Sequence, residues 1–157
     1  MKILKWTLLI GLNIFLILSL ILPYKVVAPA PIIPPLTAEQ VFTMANQYRI
    51  ENGLVPVVED SRMCEYANIR VKQIRTDWSH SGFRNNNGLE DELCSDCTFF
   101  GENLAHFYNT STEVVDGWKN SDGHNKNMLN PRWDIGCIAI EFKNGTSYVA
   151  QEFADLD

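Results

Sequence analysis

The stretch from residue 137 to residue 153 reads CIAIEFKNGTSYVAQEF, and it carries the strongest local structural signal in the chain. Apolar side chains alternate with other residues from Ile138 to Phe142, and the alternation resumes from Tyr148 to Phe153. Between these two segments, Asn144-Gly145 is typical of the tight type I′ turn that joins antiparallel strands. The sequence therefore predicts a β-hairpin near its C-terminal end.

Three segments before the hairpin have apolar residues at helical spacing. The first begins after Thr37, a residue suited to capping a helix, and ends at Asn52-Gly53. The second follows Asp60-Ser61, and the third begins at Thr110, where Glu113 completes a capping-box pattern. The apolar stripes are Val41, Met44, Ala45 and Tyr48; Cys64, Ala67, Val71, Ile74 and Trp78; and Val114, Val115 and Trp118. Helices followed by a hairpin predict an α+β domain built in layers.

The segment from Ser79 to Phe100 is predicted to be an irregular loop. Asn85-Asn86-Asn87-Gly88 cannot continue a helix, and Glu90-Asp91-Glu92 is typical of a solvated acidic patch. A loop of this length in a small domain is usually functional or held down by other residues. We expect Cys94 and Cys97 to hold it down.

The chain has four cysteines, Cys64, Cys94, Cys97 and Cys137. In an oxidising compartment an even number of cysteines predicts two disulfides, for which three pairings are possible. The Cys94-x-x-Cys97 spacing also suits a redox pair or half of a zinc site. No second such pair and no nearby pair of histidines completes a zinc knuckle, so structural bridges are favoured.

The N-terminal residues 1–25 are predicted to direct the chain to a membrane. Lys2 and Lys5 precede an apolar run of 17 residues, from Trp6 to Leu22. That length lies between the apolar part of a cleaved signal, about 7–15 residues, and a membrane span, about 17–25 residues. Prolines follow both small residues at which cleavage could occur, Ala28 and Ala30. We therefore favour an uncleaved, single-pass anchor with its N-terminus inside over a secreted protein.

The remaining residues divide into a spacer and one domain. Residues 26–35 read VVAPAPIIPP, a stiff proline-rich linker. Residues 36–157 carry 10 of the 13 basic side chains and all 19 acidic ones, a net charge of −9. This charge argues against nucleic acid as a partner and slightly favours bound cations. The expected partners are the membrane, through the leader, and an unidentified extracellular ligand or protein.

Two of the three histidines lie beside other polar residues. His80 follows the second predicted helix and His124 follows the third, while Glu102 lies between them in the segment GENLA. Two imidazoles and a carboxylate can bind a divalent metal such as Zn²⁺, or can serve in acid–base catalysis. Their spacing alone does not establish a shared site. His106 is expected to be a surface or packing residue.

Several motifs occur together and in order. They are Trp78-Ser79-His80-Ser81, Gly101-Glu102-Asn103-Leu104-Ala105, Trp118, Ser121-x-Gly123-His124-x-x-Asn127-Met128-Leu129, Gly136 and Tyr148-x-x-Gln151-x-Phe153. In this combination the chain resembles the CAP superfamily, which includes cysteine-rich secretory proteins, antigen 5 and pathogenesis-related proteins, and whose module is also called the SCP domain. The form Gly123-His124-x-x-Asn127-Met128-Leu129 resembles that of the short bacterial members. The resemblance implies a three-layer α-β-α sandwich over residues 36–157.

The resemblance also implies a cleft with two histidines and two acids. By motif position His80, Glu102 and His124 carry over, as metal ligands or, in an enzyme, as catalytic residues. The second acid is expected three residues after Trp118, where this chain has Ser121. A hydroxyl cannot replace a carboxylate as a base.

Two other residues are expected to lie beside these groups. Asp122 follows Ser121 and could supply an acid from a different direction. Asn103 follows Glu102 in the GENLA motif and is a further neighbour of the cleft.

Three functions therefore compete. The first is a ligand- or surface-binding module whose cleft can hold a divalent cation. The second is a metal-dependent or His/Glu-dependent hydrolase, resembling a peptidase, and the third is a cleft whose residues are purely structural. The missing second acid favours the binding module, and the resemblance implies no established catalysis. No G-x-S-x-G turn supports a serine nucleophile.

Overall fold

The computed structural model describes residues 35–84 and 88–157. All of them belong to one of the two units into which the chain divides, Ile32–Asp157. The predicted leader, and the spacer apart from its last residue, lie outside the described residues, so the membrane anchor stays a prediction. Within the described ranges, no helix is both long and apolar enough to cross a membrane.

A four-stranded sheet lies at the centre of the domain, in the strand order β1-β3-β4-β2. The short β1 runs parallel to β3, and the other neighbours are antiparallel. The predicted hairpin is confirmed as β3 and β4, and its turn residues Asn144 and Gly145 both have positive φ, 52° and 78°, as a type I′ turn requires. The strands are β1 Val58–Glu59, β2 Cys97–His106, β3 Ile135–Lys143 and β4 Thr146–Leu156.

Helices cover both faces of this sheet. Their bounds are α1 Ala38–Glu51, α2 Ser61–Ile74, α3 Ser81–Arg84, α4 Leu89–Leu93, α5 Ser111–Lys119 and α6 Asp122–Met128. The predicted caps are present: the Thr37 side chain accepts from the N–H of Gln40, and Thr110 forms a reciprocal capping box with Glu113. Each cap satisfies N–H groups that the first helical turn leaves without partners.

Two apolar cores separate three layers. Helix α2 packs on one face of β3 and β4, while α1, α5 and α6 pack on the other face of the sheet. The first core contains Met63, Ala67, Val71, Ile74, Leu104 and Ala150, and the second contains Val41, Ala45, Val114, Val115, Trp118 and Phe153. Trp118 is buried, and its indole N–H donates to the carbonyl of Leu104 at 3.1 Å. The predicted α+β fold with an α-β-α sandwich is therefore confirmed.

The second predicted helix is too long. Helix α2 ends at Ile74, and Trp78 does not extend its buried stripe: the indole is 42% exposed and stacks on His106 at 3.8 Å between ring centroids. Helical spacing alone cannot distinguish a residue on a helix from one just beyond its end.

The prediction of an irregular segment from Ser79 to Phe100 is also wrong. This segment contains α3, α4 and the first residues of β2. Gly88, with φ 77°, precedes α4, and the acids interpreted as a solvated patch occupy its first turn, where the helix dipole favours negative charge. Gly88, which the sequence suggested would end a helix, is instead the N-cap residue of α4.

Two disulfides tie the layers together. Cys64 on α2 is bonded to Cys137 on β3, and Cys94 at the end of α4 is bonded to Cys97 at the start of β2. The structural interpretation of the cysteines is thereby confirmed, and one of the three possible pairings is selected. The first bridge fixes the helix that carries Arg70, a residue of the candidate site.

Candidate functional site

Glu102 is the centre of the candidate site. It lies on β2, an edge strand, and is only 5% exposed. Its Oε2 accepts from Nε of Arg70 at 2.6 Å, and its Oε1 accepts from Nη2 of Arg70 at 3.2 Å. The same Oε1 lies 2.8 Å from Nδ1 of His80. A guanidinium and an imidazole therefore hold the carboxylate from both sides.

Arg70 is buried, with 1% of its side chain exposed. Besides Glu102, its guanidinium donates to the side chain of Gln73 and to the carbonyl of Ser79 at 3.2 Å. Gly82 lies against this group so closely that an added Cβ would overlap the guanidinium. The residues on both sides of His80 are thus packed against a buried cation.

His80 presents one nitrogen to Glu102 and one to the open side. A carboxylate can only accept, so Nδ1 carries the proton of this hydrogen bond and Nε2 keeps a free lone pair in the neutral ring. The side chain is 47% exposed and lines an open pocket of about 300 Å³. The pocket is lined by His80, Phe83, Phe100, Gly101, Glu102 and Asn127.

His124 lies on α6, on the other side of β2 from α2, and is half-buried. Burial lowers its pKa, and the nearby charge of His80 lowers the pKa further. Both effects favour the neutral imidazole, which is the form that coordinates metals. His124 thus lies near enough to His80 for their charges to interact, although it is not among the residues that line the pocket beside His80.

Asparagines fix α6 on the edge strand. The side-chain amide of Asn127 donates to the carbonyl of Glu102 at 2.9 Å and to Oδ1 of Asn103 at 3.1 Å. Asn103 donates in turn to the carbonyl of His124 at 3.2 Å and to the side chain of Gln151 at 3.0 Å. Asn103, expected as a neighbour of the cleft, is therefore the buried residue that locates His124.

Ser121 and Asp122 have a different position. Ser121 is the N-cap residue of α6 but makes no side-chain capping bond, and Asp122 is exposed in the first turn. Among the described residues, neither lines the pocket. The third histidine, His106, stacks on Trp78 at the far end of β2.

The distances between potential ligand atoms bear on metal binding. Two groups in the described ranges have such atoms within 4.8 Å of one another: Glu59 with Cys64 and Cys137, and Cys94 with Asp96 and Cys97. Both depend on disulfide sulfurs, which are not thiolates. His80, Glu102 and His124 do not form a group this tight.

Sequence reasoning missed two members of the site. Arg70 belongs to α2, and Glu152 lies on β4 directly opposite Glu102. Glu152 is buried, and its burial, followed by the charge of Glu102, raises its pKa well above the ordinary value. Two features of the sequence could have indicated them. Arg70 is a basic residue on the buried side of a helix, and Glu152 is an acid within the apolar run near the end of the chain.

Residues 42–153 match the family described as the cysteine-rich secretory protein family, CAP. The chain belongs to this family. The match includes α2, the edge strand, α6, β3 and β4 as far as Phe153, and so every residue of the site described above.

Two curated relatives of this CAP domain come from Bacillus subtilis. The membrane protein YlbC is 28% identical over 149 residues, which cover 83% of this chain and 42% of YlbC. The protein YkwD is 42% identical over 53 residues, which cover 34% of this chain and 20% of YkwD. The chain thus spans less than half the length of the curated relatives it matches.

Solved structures of low sequence identity share the CAP fold. A cysteine-rich secretory protein of Staphylococcus aureus has a TM-score of 0.63 at 19% identity, covering 81% of this chain and 41% of that one. An outer surface protein of Borrelia burgdorferi has a TM-score of 0.64 at 18% identity, covering 80% of this chain and 99% of that one. At these identities the likeness establishes the fold alone.

Proposed function

We propose that this CAP domain is an extracytoplasmic ligand-binding module whose cleft holds a divalent cation such as Zn²⁺ between the imidazoles of His80 and His124. The observation that carries the proposal is the hydrogen bond from Nδ1 of His80 to Glu102, which leaves Nε2 available beside an open pocket. Neutral histidine nitrogens are common ligands of Zn²⁺.

In this proposal Glu102 orients the metal-binding side chain of His80 and does not bind the metal itself. Both of its oxygens already accept from Arg70 or His80, so coordination would require breaking a buried ion pair. A carboxylate behind a metal-binding histidine fixes the ring and raises its basicity. The remaining coordination positions are open to water or to an oxygen atom of the ligand.

Several observations support a location outside the cytoplasm. Both pairs of cysteines form disulfides, which persist in oxidising compartments. One relative is named a membrane protein, and one structural neighbour is named an outer surface protein. The predicted leader, residues 1–25, agrees with this location, and we propose that it anchors the domain as a single-pass segment.

Calorimetry with Zn²⁺ on the purified full chain tests the binding proposal. We expect about one site, weakened about tenfold or more in His80→Ala and in His124→Ala. His106→Ala is the matched control, since His106 is a half-buried histidine at the far end of β2. Equal affinity in all four proteins, or the absence of binding heat, would contradict the proposal.

A second function, hydrolysis, is favoured by the same Glu102–His80 hydrogen bond. An imidazole oriented by a carboxylate can act as a general base through its free nitrogen. A screen of peptide and polymer substrates should then find an activity that His80→Ala abolishes. Because His80 is half exposed, that variant should keep its thermal stability. A large loss of stability would instead indicate a structural role for the histidine.

A further inference from the structure

Glu152 faces Glu102 across two neighbouring strands. The two residues are directly paired in the register of β2 and β4, so their side chains leave the same face of the sheet, towards α2. Both are buried, with 1% and 5% of their surface exposed. On the other side of β4, the residue paired with Glu152 is Cys137, whose sulfur is in a disulfide and carries no charge.

The hydrogen bonds of Glu102 leave one acceptor position open. A carboxylate offers about four acceptor positions, two on each oxygen. Oε1 receives Arg70 and His80, whereas Oε2 receives only Arg70. Meanwhile neither oxygen of Glu152 accepts a hydrogen bond from any described donor. Glu152 therefore lacks a donor, and Oε2 of Glu102 has room for one.

The charged groups around Glu152 also favour a proton on its carboxyl group. Arg70 is ion-paired with Glu102, and the charge of one guanidinium balances one carboxylate. Arg70 makes no hydrogen bond to Glu152. Among the described residues, the other charge that acts on Glu152 is that of Glu90 on α4, which is also acidic. An ionised Glu152 would thus be a second buried anion with no cation of its own.

We propose that Glu152 is a neutral carboxylic acid at neutral pH and donates its proton to Oε2 of Glu102. Two neighbouring carboxyl groups can share a hydrogen bond only when one of them holds a proton. Glu152, the one without another donor, holds it. The raised pKa of Glu152 agrees with this assignment. Glu152 is then a positioning residue: it completes the set of donors around Glu102 and so fixes the carboxylate that orients His80.

Infrared spectroscopy of the full chain in D₂O tests the charge state directly. At about pH 7, where an ordinary glutamate is ionised, the wild-type protein should show the C=O stretching band of a protonated carboxylic acid. Glu152→Gln should lose this band, and Glu90→Gln, the matched control on α4, should keep it. Absence of the band from the wild-type protein, or its survival in Glu152→Gln, would overturn the proposal.

A second measurement does not depend on the Gln variant folding. In the wild-type protein labelled with ¹³C-glutamate, one side-chain carboxyl carbon should keep the chemical shift of a protonated acid at about pH 7. If every glutamate carboxyl has the shift of an ionised group at that pH, Glu152 is not a neutral acid.

The positioning role rests on the proposed function of His80 and has its own readout. In ¹⁵N NMR spectra the protonated Nδ1 of His80 should keep its shift in Glu152→Gln, because the amide still offers an N–H to Glu102. Glu152→Leu, of similar size and without a donor, should move that resonance. Equal His80 resonances in both variants would overturn the positioning role. Failure of the wild-type chain to bind Zn²⁺ would overturn the metal proposal while leaving the infrared result unaffected.

Discussion

Cys64 and Cys137 close a loop of 73 residues, whereas Cys94 and Cys97 close a loop of three. The two bridges are otherwise well matched, because each joins one buried and one half-buried cysteine. Replacing either pair by alanine therefore removes similar buried atoms and differs mainly in the length of chain released. The comparison isolates the effect of loop closure on the free energy of unfolding.

The expected magnitudes follow from the loss of chain entropy in the unfolded state. Loop closure contributes about 4.4 kcal/mol for the long loop and about 1.6 kcal/mol for the short one. For a domain of about 120 residues, the unfolding entropy near the midpoint converts these values to losses in Tm of about 17 °C and about 6 °C. The difference of about 2.8 kcal/mol depends only on the ratio of the loop lengths.

Thermal unfolding of the full chain, followed by circular dichroism, provides the measurement. Wild type, the double variant Cys64→Ala/Cys137→Ala and the double variant Cys94→Ala/Cys97→Ala are compared at equal concentration. Equal losses of Tm, or a larger loss from the short loop, would refute the entropic reasoning. Such a result would indicate that local packing around the sulfurs outweighs the constraint on the unfolded chain.

Three further changes have defined outcomes. Arg70→Met leaves the buried Glu102 without its cation and should lower the free energy of unfolding by about 3–5 kcal/mol in urea titrations, with partial recovery when Glu102→Gln is added. Gly101→Ala would bring a Cβ to 2.6 Å from the indole of Trp133, and we expect a loss of about 1–3 kcal/mol in the same assay. The lowered pKa of His124 means that the unfolded chain takes up a proton at about pH 6.5 before the folded one does. The contribution of His124 to the free energy of unfolding is thus complete above that pH and declines as the pH falls towards the pKa of the folded state. His124→Gln should flatten this part of the curve of stability against pH.

The elements set by local rules could be predicted from the sequence. The Asn144-Gly145 turn, the caps at Thr37 and Thr110 and the alternating strands of the hairpin need only neighbouring residues to define them. The edge strand β2 was missed, because the Cys94-x-x-Cys97 spacing and the run Asn85-Asn86-Asn87-Gly88 before it resemble a loop.

The candidate site was only partly predictable for a related reason. His80, Glu102 and His124 are found through motifs, whereas Arg70 and Glu152 become members of the site only when α2 and β4 meet β2. Glu152 occupies a buried position of a strand, where a sequence pattern favours an apolar residue. Only its partners across the sheet explain an acid there, and no local pattern contains those partners.

The edge position of β2 limits how a ligand can be recognised. An exposed edge usually offers its carbonyl and N–H groups to an incoming extended peptide, which can add as a further strand. At Glu102 the carbonyl is already occupied by the amide of Asn127. A polypeptide adding to this edge would therefore compete with Asn127 for the carbonyl of Glu102. A group that is recognised by its side chains or by its terminus would avoid this competition, whereas an extended segment added as a further strand would not.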